Sequence, residues 1–289
     1  MPNFEYSAPA SIDEAVALLG SQKGARTLAG GTDLLVQIQS GRVSPPAIVD
    51  IKRILGLTGI RRRDGAFIIG AATSCAALGD DVALRKAWPG VVEAANLIGS
   101  TQVQSRATVA GNLCNASPAA DSVPAMIAAG AVCVIAGPTG RRELPVENLV
   151  VSPGRNALSP AEFVIEIVLP ARAAHAGDAY LRATPRSEMD IAVAGAGVSL
   201  ALDADGVCTQ ARVGLGAVAP TALLVAEAGA SLVGTRLDDA ALKRMEDIVA
   251  KACKPIDDKR GTAVYRVAIA GVLARRAAVI AYRRAEEHA

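Results

Sequence analysis

The sequence is poor in the side chains that most enzymes rely on. It holds two histidines, His175 and His288, and aromatic residues make up only 3% of its 289 positions. A Ser–His–Asp triad would have to use one of these histidines, and no nucleophile elbow accompanies either. The five cysteines (Cys75, Cys114, Cys133, Cys208, Cys253) are scattered and include no CxxC pair. That spacing excludes an iron–sulfur cluster held by this chain alone and gives no zinc constellation. Reduced, mostly buried thiols in a reducing compartment are expected. Net charge is also nearly absent: 30 basic residues against 28 acidic ones leave +2. Such a balance gives no basis for a nucleic-acid partner or an anionic membrane surface. No apolar run reaches the ~18 residues of a membrane span. The N-terminal MPNFEYSAPAS lacks the charged and apolar regions of a secretory signal. A cytoplasmic protein is expected.

What is present is apolar and small. Hydrophobic residues make up 51% and charged residues 20%, a globular composition long enough for two or three subdomains. Phe4-Glu5-Tyr6 predicts a strand, and Ser11-Ile12-Asp13-Glu14 is a capping box, Glu14 reaching back to Ser11, that opens a helix closed by Gly20. A short strand over Arg26–Ala29 enters Gly30-Gly31, a second helix starts at Thr32-Asp33, and Ala47–Ile51 is a further strand. Ile60–Arg63, the turn Asp64-Gly65 and Ala66–Ile69 form a hairpin. A helix follows near Trp88–Leu97, then a loop-rich segment over Gly99–Asp121. Pro124–Ala129 is helical, and Ala131–Ala136 and Phe163–Val168 are strands. Residues 171–178 (ARAAHAGD) form a linker. Ile191–Leu202 and Val207–Gly214 make a second hairpin, and two helices, near Asp239–Lys251 and Val264–Arg284, close the chain. The boundaries expected are 1–55, 56–175 and 176–289.

Two turns carry the candidate chemistry. In Leu28-Ala29-Gly30-Gly31-Thr32-Asp33-Leu34-Leu35 a strand enters a Gly-Gly turn and leaves as a helix. The missing Cβ atoms allow a close backbone approach to an anion, with free N–H groups at the helix start pointing at it. An ordinary tight turn would have the same sequence, and the pattern is not the alternating-glycine dinucleotide fingerprint. In Thr108–Ser122, small residues, amides and hydroxyls run without a bulky polar side chain until Asp121. That segment can wrap a polar ligand, with Asp121 accepting from ribose hydroxyls, or can be a loop satisfied by its own Asx and Ser turns. Gly195-Ala196-Gly197 and Gly214-Leu215-Gly216 read as close backbone contacts in strands rather than phosphate loops.

Taken in order, the two turns resemble the flavin-binding signatures of the xanthine dehydrogenase and carbon monoxide dehydrogenase medium-subunit family. Those signatures are A-G-G-x-S/D-L near residue 30 and T-I/L-G-G-N…A-x-P-x-x-D about 80 residues later. The similarity extends through FEYSAPASIDEAVALL, AIVDI, GRNALSPAEFVIEIVLP, RSEMDIAVAGAGVSL and YRVAIAGVLARRA. The resemblance implies an α+β, vanillyl-alcohol-oxidase (PCMH)-type FAD-binding fold of two subdomains with a C-terminal α+β domain. It also implies that Ala29–Leu35 hold the FAD pyrophosphate through backbone N–H groups. Thr108, Ala110, Gly111 and Asn112 would line the flavin and pyrophosphate, with Ser117 in the same segment. Asp121 would bind toward the adenosine half, Ile98 lie near the isoalloxazine, Ile165 near the adenine and Arg182 near the flavin. One departure is clear: the family's second Gly-Gly is Ala110-Gly111 here, which is tolerable only if Ala110 keeps a negative φ. A second is that no cysteine-rich insertion for an extra cluster is present.

The function so implied is that of an FAD-carrying electron-transfer subunit of a heterotrimeric molybdenum hydroxylase. Its partners would be a large molybdenum-pterin subunit, a small subunit with [2Fe-2S] clusters, and an external acceptor: NAD, a quinone, a cytochrome or oxygen. No side chain of this chain is expected to act as an acid or base. The competing readings are a stand-alone flavin-dependent oxidoreductase and a flavin-free scaffold.

Overall fold

A computed structural model describes residues 4–187 and 189–287. His288 and Glu188 of the RSEMDIA run lie outside the described residues. The chain opens with β1 (Glu5–Ser7), α1 (Ile12–Ser21), β2 (Arg26–Leu28), α2 (Leu34–Gln39) and β3 (Ala47–Asp50). The three strands pair in parallel in the order β1-β3-β2. Parallel neighbours need a crossover between them, and α1 and α2 occur in the two connections. Ser11 caps α1 by accepting from the Glu14 N–H at 3.1 Å. Glu14 closes the box one residue earlier than expected, accepting from the Ala10 N–H at 2.9 Å. Gly20 does not close α1, which continues through Ser21.

The next stretch contains β4 (Ile60–Arg63), β5 (Ala66–Gly70), then α3 (Cys75–Asp80), α4 (Val82–Ala87), α5 (Pro89–Ala95), α6 (Thr101–Gln104), α7 (Val109–Cys114) and α8 (Ser122–Ala128). It continues with β6 (Val132–Gly137), β7 (Gly140–Pro145), the small ribbon β8 (Val150–Ser152) and β9 (Arg155–Asn156), and β10 (Phe163–Leu169). Five strands form one sheet in the order β4-β5-β10-β6-β7. Ile69, Ile135, Phe163 and Ile167 from this sheet, with Leu78, Leu84, Val91, Leu113, Met126 and Ile127 from the helices, share one core. Each such side chain contributes roughly 1.5–3 kcal/mol by leaving water. The segment expected as loop, 99–121, contains α6 and α7. Their four and six residues are too short to show a helical apolar period, and they are fixed by the core beneath them.

The remaining elements are β11 (Ala176–Ala183), β12 (Ala194–Leu202), β13 (Cys208–Gly216), β14 (Leu223–Leu224), α9 (Ala226–Ala230), α10 (Asp239–Ala252) and α11 (Ala263–Glu287). The strands form an antiparallel sheet, β11-β12-β13-β14. Ala270, Ala274, Ala277, Ala278, Ala281 and Ala285 form the buried stripe of α11. Small side chains let the helix lie almost on the sheet: a Cβ at Gly177 would sit 1.9 Å from the Ala281 carbonyl oxygen. This approach explains why 171–178 is not wholly a linker. β11 begins at Ala176, and Asp178 is buried at 3% exposure. Gly197, Gly214 and Gly216 meet Pro124 of α8 at distances that a side chain would violate, as close contacts should.

Candidate functional site

The first turn is shaped by what surrounds it. β2 runs alongside β3, with Leu28 opposite Asp50, and delivers the chain into Ala29 and the glycine pair. Gly31 has φ +80°, where a side chain would be strained, and an added Cβ would press on Leu28 and Leu35 at 3.0 Å. Gly30 has a different constraint: its Cβ would lie 2.0 Å from the Arg106 carbonyl oxygen. Leu28 is buried with Ile38 and Ile48, and Leu34 packs on them. The Lys52 ammonium donates to the Ala29 carbonyl oxygen at 3.0 Å and to Asp50 Oδ2 at 2.8 Å. Tyr6 Oη donates to the same Asp50 oxygen at 2.6 Å. Burial pushes the Asp50 carboxyl up, but the Lys52 and Tyr6 hydrogen bonds outweigh it and hold the group below its ordinary value. Thr32 and Asp33 complete the turn, and α2 starts at Leu34, with Leu35 turned outward. Among the described residues, the backbone N–H groups of Gly30, Gly31, Thr32, Asp33 and Leu34 find no acceptor. These residues are half-buried to exposed, so the run of free donors at a helix start is open to an anionic ligand.

The second turn lies against the first. Thr108 caps α7, its Oγ1 accepting from the Gly111 N–H at 2.9 Å, and a Cβ on Gly111 would come within 2.8 Å of that oxygen. Ala110 sits inside α7 without a positive φ, its methyl buried in the main core. Replacement of the family glycine is therefore sterically neutral here. Asn112 Oδ1 accepts from Ser122 Oγ at 2.7 Å, and Ser117 Oγ accepts from the Ala119 N–H at 3.3 Å. Gln37 Nε2 on α2 donates to Asn115 Oδ1 at 2.9 Å, a second link between the two turns.

Asp121 is buried at 8% exposure, and both of its carboxylate oxygens have partners. Tyr180 Oη donates to Oδ1 at 3.0 Å and Arg182 Nη1 to Oδ2 at 2.6 Å. Burial raises the Asp121 carboxyl above its ordinary value, although Arg182 and Tyr180 pull it down. Tyr180 is itself pushed well above the ordinary phenol value, first by burial and then by the Asp121 charge. The pairing brings Asp121 and Arg182 together. Ile98 is half-buried just before Gly99. Ile165 is further removed: it is the bulged residue of β10, fully buried, and its carbonyl oxygen accepts from the Ala71 N–H at 3.0 Å. Sequence reasoning passed over Tyr6, Lys52, Asp50 and Tyr180, whose roles depend on long-range pairing. The available signal for Tyr180 was its position two residues before Arg182, which puts both on one face of β11.

Residues 2–172 match the family model described as the FAD binding domain in molybdopterin dehydrogenase, and residues 179–281 match the CO dehydrogenase flavoprotein C-terminal domain. The chain belongs to the FAD-binding medium-subunit family of the molybdenum hydroxylases. It is 36% identical over 284 residues to the carbon monoxide dehydrogenase medium chain of Hydrogenophaga pseudoflava, covering 98% of both chains. It is 30% identical to the putative xanthine dehydrogenase FAD-binding subunit of Escherichia coli K12, covering 91% of this chain and 90% of that one. Its fold superposes on a chain of the reconstituted CO dehydrogenase from Oligotropha carboxidovorans with a TM-score of 0.94 at 35% identity, covering 98% and 99% of the two chains. The chain is thus an oxidoreductase subunit with an FAD-binding domain, and its α+β architecture is that of the CO dehydrogenase flavoprotein. Among the described residues, no helix is long and apolar enough to cross a membrane, and no group of His, Cys, Asp and Glu gathers to hold a metal.

Proposed function

We propose that this chain is the electron-relay subunit of its complex, holding FAD between the [2Fe-2S] clusters of a small partner and an external acceptor. Substrate hydroxylation would belong to a large molybdenum-pterin subunit. The observation that carries this reading is the contact between Gly30 and Arg106, which places two separately encoded ligand turns side by side. Bound FAD supplies the conversion between one-electron and two-electron traffic. The chain's own residues position it. Within the Ala29 to Leu35 turn, the backbone N–H groups of Gly30 to Leu34 would face the pyrophosphate, and Lys52 holds the Ala29 carbonyl oxygen. Thr108, Ala110, Gly111, Asn112 and Ser117 form the opposing wall. Asp121 and Arg182, paired with each other, border the same loop, with Ile98 near the flavin and Ile165 an apolar position near the adenine. No side chain is assigned an acid–base role.

The three-stranded sheet draws its strands from 1–55, the five-stranded sheet and the β8-β9 ribbon from 56–175, and the four-stranded sheet from 176–289, which supports the division into two FAD-binding subdomains and a C-terminal domain. The acceptor, whether NAD, a quinone, a cytochrome or oxygen, is set by the room beside the flavin. A cytoplasmic location fits five free thiols. The test is to substitute Gly30 by alanine and measure flavin content per chain. Loss of flavin with retained fold supports the reading, and full flavin content removes it.

A further inference from the structure

A groove of about 420 Å³ lies where the FAD-binding domain meets the C-terminal domain, lined by Arg62, Lys86, Arg172 and the alanines 83, 87 and 176. Its volume falls within the roughly 300–1,000 Å³ of small-molecule sites. Three elements supply its cations: β4 gives Arg62, α4 gives Lys86, and the connector before β11 gives Arg172. No acidic side chain lines it.

The guanidiniums are held in place. Arg62 lies over the Phe67 ring at 4.5 Å, and Phe67 is its direct cross-strand partner. Arg172 lies over the Trp88 ring at 4.3 Å. Stacking of this kind fixes orientation before a ligand arrives. Arg172 donates through Nε to the Ala176 carbonyl oxygen at 3.2 Å and through Nη1 to Asp178 at 2.9 Å. Its Nη2 and the Trp88 Nε1 are buried with no acceptor, so the stack has donors in excess. Arg62 and Lys86 make none of the ion pairs found among the described residues. Two uncompensated cations and a third on the same small concavity, with short apolar walls between them, favour a compact multivalent oxyanion over a neutral ligand.

We propose that this groove binds a small molecule through a phosphate group, with Arg62 and Lys86 contacting the oxyanion and Arg172 providing the rigid third wall. It is made of different residues from the two glycine turns, so it is a second site.

Inorganic pyrophosphate is the probe, titrated calorimetrically into the full FAD-loaded chain at constant ionic strength. Using the loaded chain keeps the probe out of the flavin site. One saturable equivalent is expected, weakened at least tenfold in the R62Q/K86Q double variant, with flavin absorbance unchanged. The single variant K86Q, an exposed helix position, is expected to weaken it by a smaller factor and guards against misfolding of the double variant. Absence of saturable binding, or equal affinity in the wild type and both variants, overturns the proposal.

Discussion

The Cα of Gly30 faces the carbonyl oxygen of Arg106 so closely that a methyl group on it would lie 2.0 Å away. This contact locks the turn of the first sheet onto the start of the second turn. Its consequence is that there is no room for a side chain between the two segments.

Gly30→Ala must therefore push the two turns apart. FAD affinity is expected to fall at least tenfold, equivalent to about 1.4 kcal/mol, with a smaller cost to folding. The ratio of flavin to protein absorbance after gel filtration measures it.

Ala110→Gly is the contrasting variant. Ala110 is helical and its methyl is in the core, so restoring the family glycine adds no needed conformational freedom. Flavin content should be unchanged while stability drops by about 1 kcal/mol, the helix-propensity cost of glycine. Denaturant unfolding resolves the stability change, and a gain in FAD affinity would show that the backbone approach had been limited by this methyl.

Much of this fold is legible in the sequence because local chemistry dictates it. The Ser11 cap, the Asp64-Gly65 hairpin and the amphipathic closing helices each stand on a short pattern. The Gly30-Gly31 turn is legible for the same reason. What stays hidden depends on partners far along the chain. Residues 171–178 read as a linker because Ala, Gly, Arg and His carry no strand period, and β11 forms there because α11 covers it with alanines. Asp121 reads as a ligand acceptor, and nothing local shows that Tyr180 and Arg182 also donate to it. α7 is not legible because its six residues, with Gly111 and Asn112 in the middle, are too short to show a helical face.

The Asp121 lock is tested by Arg182→Gln. Removing the cation leaves a buried carboxylate without its countercharge, a loss of about 3–5 kcal/mol. Tyr180→Phe removes one neutral donor and should cost only about 1–3 kcal/mol. Urea unfolding of the two variants should rank them in that order.

Asp178 predicts a pH dependence. Burial lifts its carboxyl to about 6, against the pull of Arg172 and Arg284. A folded-state value raised above the unfolded one means that the native state binds the extra proton. Stability from this group is thus full below the unfolded value and is lost as pH rises through about 6. Melting temperature followed across that window should show the decline in the wild type and a flatter profile in Asp178→Asn.

The central claim is that this chain holds FAD for a larger complex. The most direct measurement is the visible spectrum and chain composition of the protein purified from its native host by gel filtration, with FAD added to the isolated chain in parallel. The account predicts oxidised-flavin absorbance in both samples. It also predicts iron–sulfur absorbance with two co-eluting chains in the native one. A colourless chain that refuses added FAD would contradict it.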